Sequence, residues 1–588
     1  MKLFTTGRYM QTSKLFTAFA CVTSCVQMWG QPGATVPVTV RVPVSMRTSP
    51  FHVARTLKVP SGFDAAVYAR IPGARFLATT PDNNLLVSQP SSGSVLLVRP
   101  NGAGDPLITT YVGGMRRPHD IVFHSIGNRT YVYIAESHQI NRFTWIPGSL
   151  NPQSREIVIS GLPDASTPEL QGAYGHELKN IAMDVNDNLY VSIASTCNVC
   201  LSDTTSNPVR AAIYRYDADG RNGRLFARGL RNAEGLAFLP GTTNLWVTVN
   251  QRDNIPYPNQ DGTGQYGRVI PAYVDNHPPE ALTSVRDNGN YGWPFCNPNP
   301  DTPGGLNSMP FDRDVNFNAG GQVSCDSMDR ISKGIQAHSA PLGFTFLHNT
   351  NAPSDYRSGG LVALHGSWNR QIKTGYKIAY FPWIGAQIGS QIDLVTGWLN
   401  PNGSVWGRPV DTAVDQGGSI LISDDYSGTI YKVSRTVAEP TLPDPAAWYR
   451  LVASHSGKCL DVYGFSTAER GPIVQWACHT GNNQQFQFVP VSSGVYRVLS
   501  RHSGKVLSIA GGPGATNSGA RLEQASWSGF TSQQWRLLPE AGGYYRFTPL
   551  HSGHSLDVCG VSLDNGVCVT QWQDWGGGNQ RFRLDVVR

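Results

Sequence analysis

The carboxyl-terminal quarter of the chain repeats itself three times. Each repeat opens on His-Ser-Gly, at His455, His502 and His551, so the starts lie 47 and 49 residues apart. A fixed period of this size indicates a fold built from equivalent supersecondary units that bury one shared core. We therefore expect three β-rich units. Each of them closes on Gln, one further residue and an aromatic ring: Gln484-Gln-Phe486, Gln533-Gln-Trp535 and Gln580-Arg-Phe582.

These markers resemble the ricin-B-type β-trefoil lectin family over residues 448–588. The resemblance implies carbohydrate binding, in which an aromatic face packs on the apolar side of a sugar and amide or carboxylate groups bind its hydroxyls. The middle repeat has Ser508 at the acidic position and no stacking aromatic, so we expect no site there. The predicted carbohydrate-binding residues are Asp461, Trp476, Asn483 and Gln484 in the first repeat and Asp557, Trp572, Asn579 and Gln580 in the third.

Residues 55–435 repeat a different theme, a turn rich in Asp, Asn and Gly followed by an apolar strand. Examples are the segments 81–87, 184–191, 240–247 and 415–423, and three of them are followed by a second strand. At about 45–65 residues per unit, this pattern predicts a β-propeller of six to eight blades, and we favour six. The long segment 254–338 is expected to form loops over one face. A Pro-rich stretch, 436–447, is expected to be an extended linker.

Composition supports an all-β chain with several domains. At 588 residues the chain exceeds what one hydrophobic core holds. Its 62 Gly and 40 Pro follow no three-residue period, which excludes collagen, and 10% aromatic residues exclude disorder. The net charge of +6 is spread along the chain, so neither nucleic acid nor an anionic membrane is an expected partner.

The start of the chain is typical of a secretory signal peptide, predicted for residues 1–30 and followed by a lead-in over 31–54. Three basic residues precede an apolar stretch, 15–29, that is shorter than the roughly 20 residues of a membrane span. A signal anchor is the alternative. We therefore expect a secreted, extracellular protein, and Asn128 and Asn402 stand in glycosylation sequons.

Eight cysteines follow the signal and fall into four pairs that are close in sequence. An even, locally paired set in an exported chain favours disulfides. The Cys-Asn-Val-Cys segment also fits half of a redox or zinc site, but no second pair of Cys or His completes a zinc site, which favours a structural disulfide. The predicted pairs are Cys197–Cys200, Cys296–Cys325, Cys459–Cys478 and Cys559–Cys568.

Six segments of the propeller region combine His, Arg, Asn and Trp with Gly-rich turns. In their order and spacing they resemble the glucose/sorbosone dehydrogenase family of soluble quinoproteins, including the fungal-type extracellular pyranose dehydrogenases that use pyrroloquinoline quinone (PQQ). The segments are Gly175-His-Glu-Leu-Lys-Asn180, Cys197-Asn-Val-Cys200, Gly229-Leu-Arg-Asn-Ala-Glu-Gly235, Asn290-Tyr-Gly-Trp-Pro-Phe-Cys296, Leu364-His-Gly-Ser-Trp-Asn-Arg370 and Gly407-Arg-Pro-Val-Asp411 with Ser423-Asp-Asp425.

The resemblance implies a PQQ- and Ca²⁺-dependent sugar dehydrogenase. His176 is the implied catalytic base, because a neutral imidazole can accept the hydroxyl proton while hydride passes to the cofactor. Ca²⁺ is implied on the main-chain carbonyls of Arg252 and Asp253. The implied cofactor-binding residues are Arg75, His119, Arg231, Asn232, His338, His365, Trp368, Asn369, Arg370 and Arg408.

Electrons must then leave the reduced cofactor, and the sequence carries neither a CxxCH haem motif nor a cysteine set for an iron–sulfur cluster. We therefore expect a separate extracellular acceptor, such as a cytochrome or a copper oxidoreductase, and a monomer as the default state. Two alternatives remain open. A non-catalytic two-domain lectin would not need clustered arginines, and a Ca²⁺-dependent propeller lactonase would need several carboxylates on one metal.

Overall fold

A computed structural model describes residues 34–587, apart from 103, 349, 354–355, 385–386, 437–442, 493–494 and 541–542. The predicted signal peptide lies outside the described residues, as do residues 437–442 of the predicted linker. The predicted domain boundaries stay predictions. Among the described residues, no helix is long and apolar enough to cross a membrane.

Six antiparallel sheets follow one another along the chain and form the blades of a propeller. Blade 1 contains Leu77–Thr79, Leu85–Gln89, Ser94–Asn101 and Gly104–Val112. Blade 2 contains Ile121–Ile126, Arg129–Ala135, Ile140–Thr144 and Gln153–Ile159. Blade 3 contains Ile181–Met183, Asn188–Ile193, Ala212–Asp217 and Arg224–Arg228, with Gly289–Asn290 added in parallel.

The remaining blades follow the same order. Blade 4 contains Asn232–Phe238, Leu245–Asn250, Glu280–Val285, Ile331–Ile335 and Asn307–Met309. Blade 5 contains Pro341–Phe346, Gly359–Leu364, Lys377–Ile384 and Ile392–Val395, with a short added strand Gln387–Ile388. Blade 6 contains Pro409–Val414, Ile420–Asp424, Thr429–Arg435 and the early strand Phe63–Arg70. The predicted six-bladed, all-β fold is confirmed.

The ring is closed by the early strand of the chain. Phe63–Arg70 pairs antiparallel with Thr429–Arg435, so the first and last segments of the propeller share one sheet. Its side chains alternate strictly between buried and half-buried positions, the period-two pattern of a strand whose faces lie in different surroundings. A two-stranded sheet, Thr35–Thr39 with Thr56–Pro60, precedes it.

The first strands of neighbouring blades contact each other around the whole ring. Their backbones approach so closely that glycine is required at two places. A Cβ atom on Gly235 would lie 2.5 Å from the carbonyl oxygen of Leu342, and one on Gly343 would lie 2.0 Å from Asp411 Oδ1.

The segment 254–338 is not made of loops alone, contrary to the sequence expectation. It supplies the last three strands of blade 4 and the added strand of blade 3. It also contains the hairpin of Cys296–Pro298 with Phe311–Arg313 and the short helix Pro271–Val274. The Asn- and Pro-rich composition of the segment obscured its blade strands, because the stability of these strands comes from pairing with residues far away in the sequence.

The trefoil follows as one continuous twelve-stranded sheet around its own core. The aromatic residues that close the three repeats, Phe486, Trp535 and Phe582, are fully buried there, so the sequence repeat is the repeat of the core. Its strands are Tyr449–Ala453, Cys459–Val462, Gly471–Trp476, Phe486–Ser492, Val495–Ser500, Val506–Ile509, Leu522–Ala525, Trp535–Glu540, Tyr544–Pro549, Ser555–Val558, Val567–Trp572 and Phe582–Val586.

All four predicted disulfides are present. Two lie in the propeller and two in the trefoil, and each joins the predicted partners: Cys197–Cys200, Cys296–Cys325, Cys459–Cys478 and Cys559–Cys568.

Candidate functional site

One face of the propeller gathers most of the residues singled out by the sequence. Because the strands of a blade are antiparallel, segments before the first strand and after the second meet on one face, which we call the pocket face. Loops between the first and second strands lie on the opposite face. The pocket face holds a cavity of about 160 Å³ lined by His176, Arg231, Asn232, Asn250, Gln251, Asp253, Glu280, His338, Ala340, Leu342, Trp368 and Asn369.

A larger cavity, of about 360 Å³, lies elsewhere on the propeller, beside Tyr68, Asp415 and Lys432. It contains none of the predicted site residues, and its acid and lysine already pair with each other at 2.8 Å. The smaller cavity on the pocket face is therefore the better candidate for the active site.

His176 is held as a neutral base. Its Nδ1 lies 2.9 Å from the carbonyl oxygen of Ser195, which can only accept, so Nδ1 carries the proton and donates it there. Burial and the nearby Arg231 guanidinium lower the pKa of His176. The imidazole is thus uncharged at neutral pH, with the lone pair on Nε2 available to accept a proton.

Arg231 is buried beneath the pocket and is oriented by the Cys197–Cys200 loop. Its Nε donates to the carbonyl oxygen of Asn198 at 3.0 Å, and its Nη2 lies 3.2 Å from Asn198 Oδ1 and 3.4 Å from Asp253 Oδ2. Asn198 also accepts from the Asp253 backbone N–H at 2.8 Å. Sequence analysis did not identify Asn198, although it recognised the loop that carries it.

The Asp253 carboxylate, which follows the second strand of blade 4, contacts two residues that flank strands of blade 5. Its Oδ1 accepts from Asn369 Nδ2 at 3.0 Å and lies 3.6 Å from His338 Nδ1. Burial alone would lower the pKa of His338, but the carboxylates of Asp253 and Glu280 outweigh it and raise that pKa. Burial also raises the pKa of Glu280 to about 7. The acidic residue Glu280 was not foreseen from the sequence, because it stands at the start of an ordinary-looking strand.

The two residues whose carbonyl oxygens are expected to bind Ca²⁺ already make contacts with other residues of the protein. The carbonyl oxygen of Asp253 accepts a hydrogen bond from Asn198 Nδ2 at 2.9 Å, and the Arg252 side chain pairs with buried Asp314. Within the described ranges, no group of three or more His, Cys, Asp or Glu side chains is arranged to hold a metal. The carboxylate cluster that a propeller lactonase would need is therefore not found in this part of the chain.

A second group of predicted residues surrounds the pocket without lining it. Arg75 Nη1 and His365 Nε2 both bind the Asp425 carboxylate at 2.9 Å, and Arg408 donates to the carbonyl oxygen of His365 at 3.1 Å. His119 is fully buried, with its Nε2 3.4 Å from Glu234.

Two predicted residues from the same loop differ in orientation. The Arg370 guanidinium bonds the carbonyl oxygens of Asp275 and Ala337 and does not line the pocket. Trp368, by contrast, lies at the pocket rim with 71% of its surface exposed.

The trefoil assembles the two predicted carbohydrate sites. In the first repeat, Asp461 Oδ2 accepts from Asn483 Nδ2 at 2.9 Å and from Gln484 Nε2 at 2.8 Å. In the third, Asn579 Nδ2 donates to Asp557 Oδ2 at 3.0 Å, while Gln580 Nε2 donates to the carbonyl oxygen of Gln573 at 2.9 Å. The stacking residues Trp476 and Trp572 are half-buried and 47% exposed respectively.

Each trefoil site contains a further residue that sequence analysis missed. His479 Nε2 lies 3.3 Å from Asp461 Oδ2, and the Trp575 side chain lies beside Asp557, where it opposes the effect of burial that raises the pKa of that carboxyl group. His479 and Trp575 both follow their acid by 18 residues, so comparison of the repeats could have found them. In the middle repeat Ser508 is buried and brings no carboxylate.

Comparison with known proteins agrees with the division of the chain into a propeller and a trefoil. Residues 57–436 match the TrAA12-like family, and residues 440–525, 482–572 and 531–588 match the ricin-type β-trefoil lectin domain-like family. An uncharacterized protein from Borreliella burgdorferi is 25% identical over 403 residues, which cover 65% of this chain and 92% of that protein.

Two solved structures share the propeller fold. The holo form of the pyranose dehydrogenase PQQ domain from Coprinopsis cinerea is 22% identical, with a TM-score of 0.54, covering 64% of this chain and 97% of that one. A calcium structure of a Trichoderma reesei family AA12 enzyme is 18% identical, with a TM-score of 0.53, covering 64% and 96%.

The propeller, its pocket and the matched families define a sugar oxidoreductase joined to a lectin domain. The chain belongs to the TrAA12-like family of PQQ-dependent pyranose dehydrogenases and carries a ricin-B-type lectin domain at its carboxyl end.

Proposed function

We propose that this protein is a secreted, PQQ- and Ca²⁺-dependent dehydrogenase of pyranoses or other aldoses, with His176 as its catalytic base. The observation that carries the proposal is the neutral His176 imidazole, which shares a pocket with the buried Arg231 cation in a propeller of the TrAA12-like family. Two solved structures with this fold, the holo form of a pyranose dehydrogenase PQQ domain and a calcium structure of a family AA12 enzyme, support the cofactor pair.

The residues of the pocket fit an anionic, polar cofactor. Asn369 Oδ1 is buried and has no hydrogen-bond partner within the described residues, which indicates a pocket completed by a polar ligand. Arg231, Asn232 and Asn369 would hold PQQ, since a guanidinium and two amides match its carboxylates and ring carbonyls. Arg75, His119, His365 and Arg408 would form the wall behind them.

Calcium would be bound by oxygen donors at the same pocket. The main-chain carbonyls of Arg252 and Asp253 remain the proposed ligands, and the Asp253 and Glu280 carboxylates add hard oxygen atoms beside them. When bound, PQQ accepts the hydride of the sugar carbon and Ca²⁺ polarises its carbonyl.

The chain itself supplies the proton transfer. With Nδ1–H committed to Ser195, Nε2 of His176 accepts the proton of the sugar hydroxyl, and the buried Arg231 disfavours a charged imidazole in the resting state. Trp368, exposed at the rim, offers an apolar face to an entering sugar ring.

The remaining roles are part of the same proposal. The trefoil binds a glycan or polysaccharide through its first and third repeats, and an extracellular cytochrome or copper oxidoreductase would serve as the electron acceptor. The protein acts outside the cell as a monomer, with glycans on the exposed Asn128 and Asn402.

The test is a titration of metal-free apoprotein with PQQ in the presence of Ca²⁺, followed by dye reduction with a panel of pyranoses and aldoses. We expect saturable, PQQ-dependent turnover that EDTA abolishes. His176→Ala should lower kcat by about 10²–10⁴-fold with PQQ binding retained, because only the proton acceptor is removed.

The exposed His52 serves as the matched control, and His52→Ala should keep wild-type turnover. If micromolar PQQ fails to bind while carbohydrate binding persists, the dehydrogenase proposal is wrong and the protein is a two-domain lectin.

A further inference from the structure

An arginine of the propeller reaches into the trefoil. Arg357 stands between the first and second strands of blade 5, and therefore on the face opposite to the pocket. Its Nη1 donates to Asp574 of the trefoil, and its Nη2 lies 3.7 Å from Glu540 Oε1. Its Nε donates to the carbonyl oxygen of Ala352 at 2.6 Å, which fixes the guanidinium on the propeller side.

Two arginines of the trefoil contact the same two carboxylates. Arg546 Nη1 lies 2.5 Å from Asp574 Oδ2, and Arg581 Nη1 lies 3.1 Å from Asp574 Oδ1. Both arginines also approach Glu540 Oε1, at 3.4 and 3.5 Å. All five side chains are at most 18% exposed. We call the set Arg357, Glu540, Arg546, Asp574 and Arg581 the interdomain cluster.

We propose that the interdomain cluster docks the trefoil on the face of the propeller opposite to the pocket, so that the chain moves in solution as one body. The trefoil's two arginines balance its two carboxylates, and Arg357 is the one member supplied by the propeller. Because a short linker joins the domains, their effective concentration is high, and few contacts suffice to hold them together.

The docking is a balance of opposing electrostatic effects, which makes it sensitive to substitution and salt. Burial and the neighbouring Arg546 lower the pKa of Arg357 to about 10, so the group stays cationic at neutral pH but loses hydration. Attraction to Asp574 and Glu540 offsets that loss. A carboxylate in place of Arg357 would lose both ion pairs with Asp574 and Glu540, whose charges Arg546 and Arg581 already balance, and would add like charge beside them.

Docking at this face separates the two sugar-binding functions. The pocket opens on the other face of the ring, so a glycan held by the trefoil and a sugar entering the pocket approach the molecule from different sides. Asp574 follows Trp572 by two residues, which places the third-repeat site beside the domain junction. The trefoil therefore anchors the enzyme and does not hand its bound glycan to the pocket.

Small-angle X-ray scattering of the full chain tests the docking. We expect the wild-type protein to give one compact particle at low salt. Arg357→Glu should raise the radius of gyration by about 5 Å, because the two tethered domains then separate. Raising the salt concentration should move the wild-type protein in the same direction, since screening weakens the ion pairs.

Arg330→Glu is the matched control, because Arg330 is exposed and its one hydrogen bond to the described residues is to the carbonyl oxygen of Ser308. This variant should scatter like the wild-type protein. Circular dichroism and carbohydrate-column retention establish that both domains of Arg357→Glu are folded. An expanded wild-type particle at low salt, or a folded Arg357→Glu protein that stays compact, would overturn the proposal. Neither result bears on the dehydrogenase activity of the pocket.

Discussion

At the scale of single residues, the partner of each side chain decides what that side chain can do. His176 and His338 both line the pocket, yet their charge states diverge. Burial and Arg231 keep His176 neutral, whereas the Asp253 and Glu280 carboxylates favour the charged form of His338. The two imidazoles therefore suit different tasks, proton acceptance for His176 and electrostatic support for His338.

The lowered pKa of His176 predicts the acid limb of the pH–rate profile. The neutral imidazole is the active form, and its pKa lies below the ordinary value of about 6.5. Activity should therefore persist as the pH falls through 6.5 and decline only below it. Measurement of kcat/KM between pH 4 and 8 checks this, and an acid limb centred above pH 6.5 would contradict it.

At the scale of elements, short loops determine the geometry of the pocket. The Cys197–Cys200 loop presents both oxygen atoms of Asn198 to Arg231, and one of them also accepts from Trp293 Nε1 at 3.2 Å. The disulfide thus orders a loop whose task is to orient a buried cation.

Removal of the two propeller disulfides should have contrasting effects. In the chain-entropy treatment, loss of Cys197–Cys200 costs about 2 kcal/mol of unfolding free energy and loss of Cys296–Cys325 about 4 kcal/mol, because the second closes a longer loop. Cys197→Ser/Cys200→Ser should nevertheless weaken PQQ binding more, by roughly tenfold, because Asn198 loses its position.

Denaturant unfolding and PQQ titration of the two double variants test this contrast. The Cys296→Ser/Cys325→Ser protein acts as the control for general destabilisation. If it bound PQQ as weakly as the loop variant, the positioning role of the Cys197–Cys200 loop would be refuted.

At the scale of the whole molecule, the propeller and the trefoil keep separate cores. The trefoil cluster around Trp535 and Phe547 contains no propeller residue, and within the described part of the chain no hydrophobic cluster spans both domains. The interdomain cluster is polar, so it fixes orientation without merging the two folding units.

Calorimetry should accordingly resolve two transitions. PQQ with Ca²⁺ at about 100-fold over its Kd stabilises the propeller by about 2.7 kcal/mol and should raise its Tm by a few degrees. The trefoil transition should stay in place, and EDTA should reverse the shift. A single transition that moves as a whole on ligand addition would show that the two cores unfold together.

Local sequence patterns predicted much of the architecture, and seven of the twelve residues that line the pocket were singled out from the sequence. Recurring turns followed by apolar strands predicted a propeller of six to eight blades, with six favoured. The Gln-x-aromatic repeat predicted a trefoil, and its closing aromatic residues are buried in the core. Cysteines close in sequence predicted all four disulfides. The resemblance to the quinoprotein family also implied His176, Arg231, Asn232, Asp253, His338, Trp368 and Asn369, which the fold brings to one cavity.

The tertiary structure alone decided the rest, because those features join residues that are distant in sequence. Glu280 enters the pocket, and Arg370 turns to the carbonyl oxygens of Asp275 and Ala337. Arg357 pairs with Asp574 across 217 residues of chain. The local alternation of polar and apolar residues predicts which side of a strand a residue faces. Contacts between separate blades or domains, by contrast, form only when the whole ring has closed.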